Sequence, residues 1–271
     1  MPTGTSLHLG LNGVDPKHYS GWAGPLAACE ADAKDMQSIA KKAGFKSTVL
    51  LTQKCTRKAV LAALAAAAKA LKKDDLFFFT YSGHGGQVYN TGSDFEPDGY
   101  DETWCLHDGQ LIDDELYAAL GAFAAGVRIF VLSDSCHSGT VLRDMKYAAL
   151  GLSPARPRAM PHDVAIRVYM DNAEFYDKLQ PGRGAADPRT KIRATGLLIS
   201  GCQDNQTSSD GDRNGLFTAT LLAVWKNGKY QGDYRGFHKT ILKFMPPVQT
   251  PNYFTVGPAN HAFEAQKPFT I

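Results

Sequence analysis

No two of the chain's five cysteines (Cys29, Cys55, Cys105, Cys136, Cys202) stand at CxxC spacing, and their number is odd. That argues against a disulfide framework or a structural zinc site and fits a reducing compartment. Nowhere is there a run of ~18 apolar residues, and "MPTGTSLHLGLNG" lacks the basic start and apolar stretch of a signal peptide. A soluble cytoplasmic protein with no membrane partner is therefore expected. Charge of one sign is also missing, since 29 Lys+Arg against 27 Asp+Glu leave a formal +2. That balance has no footprint for nucleic acid. No internal repeat is evident.

What is present is enough for a core: 271 residues, 44% of them hydrophobic. Short β-rich apolar runs at 6–14, 47–51, 76–81, 127–132, 195–200 and 252–256 predict six strands. Helical patterns fall at 26–43, 56–73, 112–124 and 215–227, with Thr56 and Asp113 as N-cap candidates. The alanine-rich 59–73 run reads as an ordinary surface helix striped by Leu61, Leu64 and Leu71. Strand and helix in alternation predict an α/β fold with a mostly parallel sheet, as one domain over 1–271.

Two stretches break the charge balance. From Gln87 to Gly126 there are nine acids and no Lys or Arg. From Arg143 to Arg193 there are ten bases, six acids and five prolines with few strong apolar runs, which reads as a long, mobile insertion.

In an open parallel sheet, ligands bind beyond the carboxyl ends of the strands. "LFFFTY" runs into Ser82-Gly83-His84-Gly85-Gly86, and "VRIFVL" runs toward Asp134-Ser135-Cys136-His137. If these two strands are parallel neighbours, His84 and Cys136 share one cleft. A thiol of ordinary pKa needs a base to become a nucleophile, and His84 is suited to that role. Successive residues of an extended segment point to opposite sides, so His137 is the weaker base candidate. Flanking glycines allow close approach, making the Gly85 and Cys136 N–H groups candidates for an oxyanion hole. Taken singly, a cysteine is more often a small buried hydrophobe and a histidine a satisfied polar group; their common placement beside glycine is what favours chemistry. A carboxylate at Asp134 works against a nearby thiolate, so it should serve something else.

"YSGHGGQ" (81–87) followed by "DSCHSG" (134–139) resembles the caspase-fold cysteine peptidases, and within them the metacaspases and their prokaryotic relatives. "CEADAKDM", "DGYDETWC", "IDDEL", "ISGCQDNQTS" and "QTPNYF" follow in family order, with 143–193 the weakest part of the likeness. The resemblance implies a three-layer α/β sandwich, about six strands with helices on both faces. It implies a His84/Cys136 dyad that hydrolyses peptides through a thioester, with protein or peptide substrates as partners, in a monomer. It matches Asp32 and Asp134 to acids of a pocket for a P1 Arg or Lys, with Cys29 and Ser82 beside them. Arg should be at least as good as Lys, because a planar guanidinium pairs a carboxylate through two hydrogen bonds.

The resemblance also implies calcium as an activator, bound by Asp101, Asp113 and Asp114, although a fourth expected aspartate is Arg143 here, with Asp144 one place late. "DFEPDG" (94–99) is not an EF-hand, since Pro97 interrupts it and Cys105 stands where the twelfth-position Glu belongs. The acid-rich stretch reads equally as a solvated loop. No organic cofactor is implied. The basic stretch offers Arg156, Arg158, Arg183, Arg189 and Arg193 as self-processing sites, or is a plain exposed loop. Two other readings stay open: a catalytically silent regulatory protein of the same fold, and a metal-binding protein using His84, Cys105, His107, Cys136 and His137, whose spacing fits no trusted zinc pattern.

Overall fold

The computed structural model describes residues 1–92, 99–135, 157–180, 188–202, 208–247 and 249–271. Its strands in chain order are β1 (Gly4–Gly10), β2 (Lys46–Leu51), β3 (Leu76–Ser82), β4 (Gly85–Tyr89), β5 (Tyr100–Leu106), β6 (Gly109–Ile112), β7 (Arg128–Asp134), β8 (Thr195–Ser200) and β9 (Asn252–Val256). Six of them form the central sheet in the order β2-β1-β3-β7-β8-β9, parallel throughout except for β9, which runs antiparallel to β8. These are the six runs expected from the sequence. The first is shifted, because Leu11 to Val14 leave the sheet after Gly10.

The apolar runs are continuous because both faces of the sheet are covered. Alternation of side chains along β3 sends Phe77 and Phe79 to one face and Phe78 to the other. Ile129 and Val131 of β7 join the first face, and Phe130 and Leu132 the second. Helices α2 (Arg57–Ala70) and α3 (Asp113–Gly121) pack on the first face through Val60, Leu64 and Leu120. On the second lie α1 (Cys29–Lys42), a helix at Leu216–Trp225 and another at Tyr234–Phe244, through Met36, Ile39, Phe217, Leu221, Phe237 and Ile241. The result is a three-layer sandwich. Truncating a buried phenylalanine of this kind typically costs about 3–5 kcal/mol.

Thr56 caps α2, its hydroxyl accepting from the Ala59 N–H at 3.2 Å. Asp113 is not a cap: it is the first helical residue of α3, and the Glu115 carboxylate reaches back to the Ile112 N–H. Glu115 also pairs with Arg57 through both oxygens, at 2.6 and 3.0 Å, tying α3 to α2.

Two expectations are corrected. The acid-rich stretch contains β4, β5 and β6, which form a separate antiparallel sheet. The basic stretch holds packed helices at His162–Asp171 and Ala173–Asp177, whose Val164, Ala165, Val168 and Tyr176 are buried against Val14, Tyr19, Val88 and Ile112. Few apolar residues suffice there because they fall on one helix face.

The site is placed by register. Gly10 of β1 pairs with Ser82, and Ser82 pairs with Asp134, so the carboxyl ends of three neighbouring strands finish level.

Candidate active site

His84 sits between the end of β3 and the start of β4, and its backbone is fixed from two sides. Its carbonyl accepts the Tyr81 hydroxyl at 2.6 Å and the Cys105 N–H at 2.9 Å. The ring is fixed as well: Nε2 lies 3.0 Å from the Gly24 carbonyl, and the Trp22 ring packs against it at 4.7 Å between centroids. A carbonyl only accepts, so Nε2 carries the proton and Nδ1 the lone pair. Nδ1 is buried and has no hydrogen-bond partner among the described residues. Burial pushes the imidazole down to about 4, with the Arg158 charge adding to the effect and the Gly24 carbonyl opposing it. At neutral pH the ring is therefore an uncharged base.

Beside it, Asp32 from α1, Ser82 from β3 and Asp134 from β7 converge with Cys29 at the head of α1, and all four are buried. Between them lies the guanidinium of Arg158, fully buried. Nη1 reaches Ser82 Oγ at 2.8 Å, the Asp134 carboxylate at 2.9 Å and the Asp134 carbonyl at 3.2 Å. Nη2 reaches Asp32 at 2.8 Å and Asp210 at 3.0 Å. Only Nε lacks a partner among the described residues. Gly215 lets the cation in, since a Cβ there would stand 2.5 Å from the guanidinium carbon. A separate void of about 10 Å³ lies behind Asp32, Ser82 and Asp134, among Met36, Leu132, Phe217 and Leu221, at or below what one water needs.

The carboxylates are themselves held. Asp134 accepts Ser208 Oγ at 2.5 Å on one oxygen, and the Thr218 N–H and hydroxyl at 3.2 and 2.7 Å on the other. Asp32 accepts from Asn214 and the Gly215 N–H, and Asp210 from the Ala27 and Ala28 N–H groups. Burial is the largest influence on Asp32 and raises it to about 6, with Arg158 opposing. The Cys29 thiol, raised to about 12 by burial, is an inert wall at neutral pH.

The backbone bends at Arg158 and is hydrogen-bonded on both sides. Its N–H donates to the Ser208 carbonyl at 3.0 Å, its carbonyl accepts the Gly85 N–H at 3.0 Å, and the Met160 N–H donates to the Gly85 carbonyl at 2.8 Å. Pro157 bridges Ser209 and Ala159 bridges Gly85.

Thus His84, Gly85, Cys29, Asp32, Ser82 and Asp134 are brought to one place. Cys136, which bears the nucleophile and second oxyanion assignments, lies outside the described residues, as do His137, Arg143, Asp144, Arg156, Arg183 and most of the 94–99 segment. Asp101 of β5 and Asp113 and Asp114 of α3 sit at one end of the β5–β6 hairpin, where Thr103 pairs with Ile112. Among the described residues, no three His, Cys, Asp or Glu side chains assemble as a metal site. The fourth position that the resemblance sets beside Asp101, Asp113 and Asp114, Arg143, lies outside those residues, and no step is derived through a metal. Sequence reasoning missed Asp210, Ser208 and Gly24. Asp210 stands just past the "ISGCQDNQTS" block; nothing local marks Gly24.

The Caspase domain family matches residues 14–257. Metacaspase-1 of Mycosarcoma maydis is 30% identical over 246 residues, 79% of this chain and 59% of that protein. Metacaspase-1 of Botryotinia fuckeliana is 36% identical over 239 residues, 76% of this chain and 55% of that protein. The chain thus spans little more than half the length of these relatives. The crystal structure of protein GSU0716 from Geobacter sulfurreducens is 58% identical with a TM-score of 0.90, covering 99% of both chains. Caspase-1 from Spodoptera frugiperda, at 13% identity and a TM-score of 0.52 over 94% of this chain and 86% of that one, shares the fold.

Proposed function

The chain belongs to the Caspase domain family as a metacaspase-like protein, and from that premise we propose that it is a cysteine endopeptidase cutting proteins after arginine and, less well, lysine. One observation carries the specificity: a buried guanidinium held by Asp32, Asp134, Asp210 and Ser82. A pocket that satisfies Arg158 in this way has the chemistry to satisfy the P1 arginine of a substrate. A lysine ammonium is a single point and reaches fewer of these acceptors, so arginine should exceed lysine by about tenfold or more in kcat/KM. An aspartate there would face three carboxylates and be rejected.

In this reading the Cys136 thiolate attacks the P1 carbonyl carbon and the Gly85 N–H stabilises the developing oxyanion. His84 Nδ1 takes the thiol proton and returns it to the departing amine. Water, deprotonated by His84, then releases the thioester. The neutral, oriented ring supports this assignment. Calcium activation through Asp101, Asp113 and Asp114, action as a monomer and a cytoplasmic setting belong to the same proposal. Among the described residues no helix is long and apolar enough to cross a membrane.

Fluorogenic peptides ending in Arg, Lys or Asp, assayed with calcium and with a calcium chelator on the wild type and on Cys136→Ala, test it. Arginyl turnover lost in the alanine variant is expected, with a loss in chelator if calcium activates. Cleavage after Asp, or activity without the thiol, would sink the specificity or the mechanism respectively.

A further inference from the structure

We propose that Tyr81 is a positioning residue for the transition state: acting through the His84–Gly85 peptide, its hydroxyl aims the Gly85 N–H at the developing oxyanion. This rests on the cysteine-peptidase reading above and adds to it a residue that works through another.

A trans peptide is planar, with its C=O and N–H pointing to opposite sides, so whatever holds the His84 carbonyl also sets the direction of the Gly85 N–H. β4 is an outer strand of the small sheet. On its inner side the His84 carbonyl accepts the Cys105 N–H of β5 at 2.9 Å, and on its outer side the Gly85 N–H already meets one peptide carbonyl, that of Arg158, at 3.0 Å. A single anchor leaves such a plane free to rock about the strand. The Tyr81 hydroxyl, 2.6 Å from the same carbonyl, is the second anchor. It also lies 3.2 Å from the Cys105 carbonyl, and its one proton belongs to the closer acceptor.

Tyr81 is built not to move. It is buried, β3 holds its backbone between Leu9 and Ser133, and its ring stacks on Trp104 at 4.4 Å between centroids and 5° between planes. Gly83 completes the turn: a Cβ there would stand 2.6 Å from the Tyr81 oxygen, so the chain passes the hydroxyl only because position 83 has no side chain. Burial raises the phenol well above its ordinary range, and the hydroxyl stays a donor at neutral pH. A donor on a carbonyl also polarises the peptide and strengthens the N–H on its far side. Direction and strength of the oxyanion donor therefore both pass through one buried oxygen.

Tyr19 supplies the contrast. It too is buried, and its hydroxyl donates to the Leu106 carbonyl at 2.6 Å. The N–H of that peptide, on His107, is spent on the Cys55 carbonyl and serves no cleft.

The test compares the wild type with Tyr81→Phe and Tyr19→Phe, each of which loses one buried hydroxyl and keeps its ring. With calcium present, three quantities are read: arginyl-peptide turnover per active site titrated with an arginyl chloromethyl ketone, inhibition by a peptide aldehyde ending in arginine, and alkylation of Cys136 by iodoacetamide. The other four cysteines are buried. The thiol adds across the aldehyde, sulfur to carbon and proton to oxygen, which puts a tetrahedral oxygen where the oxyanion forms; alkylation makes no such oxygen. In Tyr81→Phe, kcat should fall about tenfold or more with KM within about threefold, the aldehyde inhibition constant should rise by a similar factor, and alkylation should change less than about threefold. Tyr19→Phe should stay within about threefold in all of these. Losses no larger in Tyr81→Phe than in Tyr19→Phe overturn the inference, because the Tyr81 bond is then merely structural. Alkylation that falls in step with kcat overturns it as well, since the hydroxyl then acts on the thiol and its base. A wild type that turns over no arginyl peptide overturns the peptidase reading itself, and this inference with it.

Discussion

Replacing Asp134 by Asn removes a charge and keeps a shape. The oxygen that faces Arg158 also accepts the Thr218 N–H and hydroxyl, which an amide oxygen can continue to do. The other oxygen meets Ser208 Oγ, which becomes an acceptor for the amide N–H while still accepting from Gln249. What is lost is the ionic part of the contact to a P1 guanidinium, the counterpart of the 2.9 Å contact to Arg158. At that distance an effective dielectric of about 20 gives a Coulomb term of about 6 kcal/mol, an upper bound. Because the hydrogen bond survives as a neutral one, a loss of about 2–4 kcal/mol is expected, or about 30- to 1000-fold in kcat/KM. The assay compares matched peptides carrying P1 arginine and P1 citrulline, its uncharged isostere. The arginine preference should shrink by the whole of that factor, while alkylation of Cys136 by iodoacetamide changes less than threefold. An unchanged arginine-to-citrulline ratio refutes the assignment of Asp134 to charge recognition, whatever happens to absolute rates.

Gly24 holds His84 by its carbonyl at φ +51, and a Cβ there would meet the Trp22 ring at 2.8 Å and His84 Cδ2 at 3.0 Å. Gly24→Ala should lower kcat about 10- to 100-fold by tilting the imidazole, with KM for arginyl peptides nearly unchanged; a KM effect with normal kcat would contradict it. Burial holds His8 at about 3 and His84 at about 4, so below pH 6.5 the unfolded chain takes up protons that the folded one refuses, and each ring's contribution of a few kcal/mol is lost as pH falls from about 6.5 toward 4. Asp32, raised to about 6, acts in the opposite sense over a shorter span, so melting temperature should fall on acidification, less steeply in His8→Gln.

How much of this was legible in the sequence depended on how local each cause was. The central strands were readable because a parallel sheet covered on both faces demands unbroken apolar runs, as in Phe77-Phe78-Phe79. The small sheet was not, because the acids Asp101 and Glu102 stand at the head of β5, ahead of buried Thr103, Trp104 and Cys105, and they dominated the reading. The helix at Tyr234–Phe244 was missed although its signals were present: Asp233 caps it, and Tyr234, Phe237 and Ile241 recur on one face. His84 was singled out by its place past a strand end beside glycines, and Asp32 and Asp134 by the family blocks that carry them. Asp210, Ser208 and Gly24 act only through tertiary contact. Arg158 looked no different from four other arginines, since what distinguishes it is the route of the chain between Gly85 and Ser208.

That route also explains why the pocket is built as it is. A buried guanidinium needs several hydrogen-bonded partners to offset its desolvation, and three carboxylates with a hydroxyl supply them. The converse holds with more force. Asp32, Asp134 and Asp210 gathered without a cation would repel one another in a dry site, so the pocket requires either water or a positive group. Arg158 is that group. Several acids beside a strand end fit calcium, a lysine or an arginine. A planar cation bridging Asp134 and Ser82 with one nitrogen, and Asp32 and Asp210 with the other, fits arginine best. On the proposed arginine specificity, a substitution among Asp32, Asp134 and Asp210 that weakens binding of a P1 arginine should also loosen Arg158 from its partners.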